Sequence, residues 1–199
     1  MGKIIIIGIL LAVLIYFTLR RLNFFNFNKP SQRINSSRII EVTAPTQLLK
    51  RGLKRTLYTV GSGLVLLILI VALAAKFKIA LIMLPISIYL IAQFFVLNNH
   101  VKTIRDQQIH YDSETQDVHI EWINGKSLEF NLLKDVTELK EVRAVQKNNG
   151  LHMGYYQLST NTKVIYLPYL LQENPVNKPF FDKLQLFNRS IETKLFPII

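Results

Sequence analysis

The residues best suited to chemistry are four histidines. His119 and Glu121 stand two positions apart, so a strand would place their imidazole and carboxylate on one face, and His110 precedes them on a neighbouring segment. A zinc or iron site needs at least three converging ligands. A small metal site therefore stays open, but solvated strand side chains are favoured and no metal or other cofactor is predicted. The histidines are His100, His110, His119 and His152.

Other catalytic patterns are absent from the sequence. It contains no G-x-S-x-G, Walker, Rossmann or H-E-x-x-H motif. Without cysteine it has no disulfides and no thiolate metal sites. The carboxylates Asp135, Glu138 and Glu141 alternate with basic residues and are interpreted as a solvated charge mixture. Aromatic residues could line a ligand groove or fill a core: Tyr111, Trp122, Tyr155, Tyr156, Tyr166 and Tyr169. The sequence predicts a non-enzymatic protein.

Two long apolar runs dominate the chain, Leu57–Ala75 and Ile79–Leu97. Each has about 19 residues, close to the roughly 20 that a helix needs to cross a bilayer. Neither contains a charged residue, and only the short segment Lys76–Lys78 separates them. Because so short a connection forces the chain straight back, residues 57–97 are predicted to form an antiparallel transmembrane hairpin.

A further span is predicted at residues 1–22, where Ile4–Leu19 is apolar. A cleaved secretory signal would carry its positive charge mainly before the apolar run and small residues after it. Here Arg20 and Arg21 follow the run instead. We therefore expect a retained first span, with a cleaved signal as the alternative.

The segment 23–56 is a basic connector between the first and second predicted spans. It is polar and irregular up to Ala44, and from Pro45 it becomes helical, with Leu49 and Leu53 on one stripe. Such a basic amphipathic helix, residues 45–56, can lie in the headgroup layer and bind anionic lipid. The alternative is that its cations only fix orientation. The predicted lipid-contacting cations are Arg20, Arg21, Lys50, Arg51, Lys54 and Arg55.

The distribution of cations predicts the topology. Nine lysines and arginines lie between the first two spans, whereas only Lys76 and Lys78 lie between the second and third. By the positive-inside rule the basic connector is cytoplasmic, so the amino terminus is outside and the carboxy-terminal region inside. The net charge of +11 is assigned to topology and anionic lipid, and nucleic acid is not expected as a partner.

Inside the spans, four small or helix-perturbing residues are candidates for helix packing: Gly61, Gly63, Ala72 and Pro85. Pro85 is expected to kink the third span or to free a backbone carbonyl. No span contains an ionisable residue. Because ion and proton pathways normally require such groups, the sequence argues against a transporter or pump.

Residues 98–199 are predicted to form a cytoplasmic module of short strands. Apolar residues alternate over Val118–Trp122 and Leu128–Leu132, and Asn124-Gly125 between them indicates a hairpin turn in which both residues accept positive φ. Residues 133–145 fit either a helix or a strand, and a turn followed by a strand is favoured. A broad apolar stripe predicts an amphipathic helix over Asn177–Leu195.

This order of elements resembles the bacterial membrane-anchored PH-like proteins, including the YcxB-like group. The resemblance covers roughly Leu57–Leu195 and depends on the two close spans, the strand Val164–Pro168 and the final helix around Phe180–Leu186. It implies an α+β membrane protein of the bacterial inner membrane whose small half-open β-barrel is capped by a helix. It implies no catalysis. The extra amino-terminal span and basic connector depart from the pattern and favour a subunit of a larger membrane assembly.

Two functions follow as expectations. In the first, the chain is an accessory or scaffold subunit whose helices and PH-like module dock integral membrane partners or a second copy. In the second, it is a membrane-tethered module that responds to anionic lipid headgroups.

Overall fold

The computed structural model describes residues 38–148 and 150–199, all within one compact unit. The predicted first span and Arg20 and Arg21 lie outside the described residues. Two long helices are present: α1, Thr46–Ala74, and α2, Leu84–Asp106, which a 3-10 turn at Lys78–Met83 precedes. Both are long and apolar enough to cross a membrane, with mean hydropathy 2.5 for Thr46–Ala74 and 2.3 for Lys78–Asp106.

The exposure of these helices separates them from the core helices of a soluble domain. Only 17% and 28% of their most apolar windows are buried inside the protein. Leu69 and Leu73 on α1, and Ile86 and Ile88 on α2, are exposed. Exposed apolar surface on this scale is unfavourable in water and suits a lipid environment.

Pro85 does not kink the middle of a helix. It occupies the first turn of α2, and the 3-10 segment Lys78–Met83 ends just before that helix begins at Leu84. A proline at this position costs no hydrogen bond, because the first amide groups of a helix have no intrahelical acceptor. The structure therefore corrects the prediction of a kink: Pro85 marks where α2 begins.

Eight strands within the described residues form two four-stranded sheets. In the first, the order is β1-β2-β3-β4 and all pairs are antiparallel. Its strands are β1 Ile39–Glu41, β2 Gln107–Asp112, β3 Asp117–Trp122 and β4 Ser127–Asn131. The predicted hairpin at Asn124-Gly125 is confirmed, but of the two only Gly125 has positive φ, 78°.

The second sheet has the order β7-β6-β5-β8, and β8 pairs with β5 in parallel. Its strands are β5 Val136–Asn148, β6 Leu151–Thr160, β7 Val164–Pro168 and β8 Arg189–Lys194. The favoured prediction for residues 133–145, a turn followed by a strand, is confirmed.

Residues of both sheets share one hydrophobic core with three side chains of the short helix α4, Lys178–Leu184. An earlier one-turn helix, α3, spans Tyr169–Gln172. The predicted helix Asn177–Leu195 is wrong in its second half, because the helix ends at Leu184 and β8 follows. Pairing with the free edge of β5 satisfies the backbone of residues 189–194 and overrides the helical period of the sequence.

The helical hairpin is inserted between β1 and β2. Residues 39–41, within the predicted irregular connector, form a strand that pairs with β2, and the Val42 amide donates to the Ile109 carbonyl at 2.8 Å. Buried asparagines hold the link that enters α1, since Asn174 Nδ2 and Asn177 Nδ2 each donate to the Thr43 carbonyl at 2.8 Å. We call residues 38–44 and 107–199 the sheet domain.

Candidate functional site

The outward face of α1 carries members of both sets of candidate residues, the lipid-contacting cations and the helix-packing residues. Lys50, Gly61 and Ala72 recur at intervals of eleven residues, and three helical turns take about 10.8 residues, so they share one face. Gly52 and Gly63, two positions further along, are buried on the opposite face. One side of α1 therefore packs within the described chain while the other is left uncovered by it.

Gly63 is a packing residue within the hairpin. A Cβ built on it would lie 2.8 Å from Leu90 Cβ and 3.1 Å from the Ser87 carbonyl oxygen. The close approach of α1 and α2 therefore requires glycine here. Gly61 differs, because a Cβ on it would meet no described atom within 4 Å, and Ala72 is exposed. Beside these two residues, the described part of the chain leaves space for another helix.

The basic end of α1 faces solvent. Lys50, Arg51 and Lys54 are exposed and Arg55 is half-buried. Among the described residues none of these four is in an ion pair. The prediction of an apolar stripe beside them is supported by Leu49, which is buried. The cations are therefore available to an anionic surface.

The exposed apolar residues of α1 and α2, which include Leu69 and Ile88, form what we call the bare apolar surface. Exposed aromatic side chains lie at its two ends. Tyr58 on α1 and Phe95 on α2 are exposed, and the contact between Gly63 and Leu90 places them at the same level of the hairpin. Phe77, at the far end, is also exposed. From Tyr58 to Ala74, where α1 ends, 16 positions correspond to about 24 Å of helix, and Phe77 follows three residues later, so this length approaches the hydrocarbon thickness. Aromatic rings favour the two membrane interfaces, and the cations of α1 begin one turn outside Tyr58.

The second sheet packs against the helices at this level. Asn148, at the end of β5, donates to the Gln93 amide oxygen at 3.3 Å, and both side chains are fully buried. His100 on α2 packs edge-on against Tyr155 of β6, with ring centres 6.0 Å apart. The sheet domain is therefore fixed against the helices at the end where the cations lie.

A buried carboxylate is the centre of the second candidate site. Glu141 on β5 is 4% exposed in its side chain and lies 2.7 Å from Arg143 Nε and 3.2 Å from Arg189 Nη1. The Tyr169 hydroxyl donates a hydrogen bond to the same carboxylate. The prediction that Glu141 belongs to a solvated charge mixture is wrong. Its position two residues after Leu139, on the same strand face as the core, is the signal that could have found it.

Burial raises the pKa of Glu141, but hydrogen bonds from Arg143 and Tyr169 and the charges of both arginines outweigh it, and the pKa lies below its ordinary value. Burial and the neighbouring carboxylate raise the pKa of Tyr169. The carboxylate is therefore ionised and the phenol protonated at neutral pH. These contacts link β8 to β5 through Arg189.

An open cleft of about 430 Å³ lies beside this cluster. The rings of Tyr156 and Tyr169 are in contact, with centres 5.0 Å apart and planes tilted by 52°, which places two of the predicted groove aromatics together. Others lie elsewhere, since Tyr111 is fully buried in the core and Lys163 covers the Trp122 ring at 3.5 Å. The remaining lining residues are Glu141, Arg143, Gly150, His152, Gln172 and Glu173.

The histidines do not converge. His119 lies 2.9 Å from Glu121 and 2.9 Å from Glu129, and these contacts, with the hydrogen bond to Glu121 first, raise its pKa. The His110 and His119 rings are 6.4 Å apart, while the imidazole of His152 donates to the Ala144 carbonyl. In the part of the chain that the structure describes, no group of three candidate ligands could hold a metal ion.

Comparison of the chain with protein-family models, with curated proteins and with solved structures finds no match.

Proposed function

We propose that this chain is a non-enzymatic accessory or scaffold subunit of a membrane protein complex. Its helical hairpin crosses the inner membrane of a bacterium, and its sheet domain, a PH-like module, lies on the cytoplasmic side with the predicted first span leading in from outside. The observation that carries the proposal is the face of α1 that no described residue covers, where Gly61 and Ala72 offer close approach to a further helix.

Features of both the hairpin and the sheet domain support a structural role over transport or catalysis. Its buried polar side chains, such as Ser87 and Gln93, are uncharged. In the sheet domain, the Glu141 carboxylate pairs with Arg143 on its own strand and with Arg189 on β8. The cluster therefore joins β5 to β8. A rigid sheet domain joined to a hairpin with one packed and one open face is suited to holding a partner at a fixed distance from the membrane.

The test is copurification of the full chain from native membranes in mild detergent. We expect a stoichiometric integral membrane partner, and we expect its yield to fall at least about tenfold, or 1.4 kcal/mol, in the double variant Gly61→Leu and Ala72→Leu. Ser62→Leu is the matched control, since Ser62 is exposed about 100° around the helix from Gly61. Equal partner yield from the double variant would contradict the proposal.

A second function is favoured by the free cations of α1. Lys50, Arg51 and Lys54 point to solvent one to two turns below Tyr58, at the level of headgroups. In this function the chain responds to anionic lipid, because a cation near such a surface gains about 1 kcal/mol.

The measurement is the melting temperature of the protein reconstituted with anionic or with zwitterionic lipid. We expect anionic lipid to raise it, and we expect replacement of the four cations Lys50, Arg51, Lys54 and Arg55 by glutamine to remove most of the rise. A control with the same charge change replaces four lysines of the sheet domain: Lys126, Lys134, Lys178 and Lys183. An unchanged lipid response in the α1 variant would exclude this function.

A further inference from the structure

The carboxy-terminal segment Leu195–Ile199 folds back onto α2. The imidazole of His100 donates to the Pro197 carbonyl at 2.6 Å, and the carbonyl can only accept, so Nε2 carries the hydrogen. Asn99 contacts the backbone of Ile199 twice: its amide nitrogen donates to the Ile199 backbone oxygen at 3.0 Å, and its side-chain oxygen accepts from the Ile199 N–H at 2.7 Å. We call this segment the tail.

The tail extends along the hairpin beyond Tyr58 and Phe95, towards the middle of the bare apolar surface. The ring of Phe196 lies 5.3 Å from the ring of Tyr89, measured between centres. Tyr89 is six residues before Phe95 on α2, which is about 9 Å of helix towards the middle of the bare apolar surface. Phe196 therefore lies deeper than Tyr58 and Phe95, the exposed aromatics at this end.

The chemistry of the tail fits a hydrocarbon environment. All five of its residues are apolar, and Leu195 and Ile198 remain 60% and 54% exposed in the described structure. Irregular backbone is tolerated at membrane depth only where its polar groups find protein partners. Asn99 and His100 supply those partners. Lys194 stands just before the tail, as expected for a cation at the headgroup level.

We propose that the tail is embedded in the leaflet nearest the sheet domain, where lipid covers Leu195 and Ile198. It is a third attachment of the sheet domain to the membrane, in addition to the two helix ends. Lipid is favoured as the material that covers the tail, because the exposed apolar side chains of the tail continue the exposed apolar surface of α1 and α2. This inference depends on the hairpin crossing the bilayer.

The absence of cysteine makes single-cysteine labelling direct. We would introduce Ile198→Cys into the full chain, attach an environment-sensitive fluorophore, and reconstitute the protein in phosphatidylcholine vesicles. Two matched positions serve as references: Ile68→Cys, midway between Tyr58 and Phe77, and Asn161→Cys in the exposed β6–β7 turn. Quenching by lipids brominated near the headgroup or near the chain end reports depth, and aqueous iodide reports exposure to water.

We expect the label at position 198 to show blue-shifted emission, quenching by the shallow brominated lipid and protection from iodide. The label at 68 should respond to the deep quencher and the label at 161 to iodide. A water-like signal at 198 with a lipid signal at 68 would overturn the tail proposal alone. A water-like signal at 68 would overturn the hairpin itself. Protection at 198 from both quenchers would mean that protein covers the tail, which also overturns the proposal.

Discussion

Replacement of Gly154 by alanine is expected to lower the free energy of unfolding of the sheet domain by about 3 kcal/mol. A Cβ at this position would lie 2.5 Å from the Val142 carbonyl oxygen and 2.6 Å from the Tyr169 ring. The carbonyl belongs to the neighbouring strand β5 and cannot move without disturbing the β5–β6 ladder. The Tyr169 ring is held by its hydrogen bond to Glu141. An added methyl group therefore has no low-energy place.

Urea unfolding at fixed detergent concentration would measure this, followed by the fluorescence of Trp122, the single tryptophan of the chain. Trp122 lies in the sheet domain under Lys163, so its signal reports that domain. Gly61→Ala is the matched control, because its added methyl group meets no described atom within 4 Å and alanine favours the helix. A Gly154→Ala midpoint equal to wild type would show that β5 and β6 are not packed as described.

The second large effect is expected for Glu141→Gln, with a loss of about 3 kcal/mol. The substitution leaves Arg143 and Arg189 without the charge that neutralises them, and removes one acceptor from a site where the side chain is 4% exposed. Since Arg189 belongs to β8, the parallel edge strand should detach first. Loss of β8 would also loosen the tail that follows it.

Glu192→Gln is a matched control on β8 itself. Glu192 pairs with Lys140 at 2.8 Å, but its side chain is 38% exposed, so its loss should cost no more than about 1 kcal/mol. If both glutamine variants had equal stability, the buried cluster would not be the feature that holds β8.

The Glu141 effect should depend on pH with a defined sign. Its pKa is below the ordinary carboxyl value in the folded protein, so its stabilisation is complete above that ordinary value and is lost as pH falls through the folded-state pKa. The stability difference between wild type and Glu141→Gln should therefore be constant above the ordinary glutamate pKa of about 4.3 and should shrink as the pH falls below it. A difference that stayed constant below that pH would contradict an ionised, ion-paired Glu141.

Patterns with a short period predicted much of this fold. The alternation around Val118–Trp122, the Asn124-Gly125 turn and the charge-free runs of the hairpin are local signals, and the structure has a strand, a turn and two long helices there. The helix expected over Asn177–Leu195 failed because its second half faces a free strand edge. The edge belongs to β5, more than forty residues earlier in the chain, and the spacing of residues within 177–195 carries no information about it.

The composition of the sequence by itself determined that two helices are long and apolar enough for a bilayer, because hydrophobic length needs no tertiary information. Only the tertiary structure decided that Gly63 packs inward while Gly61 stays open, that Glu141 is buried between two arginines, and that the tail returns to α2. Each of these depends on which distant segment occupies the adjacent space, and a side chain's own type and spacing do not specify its neighbour.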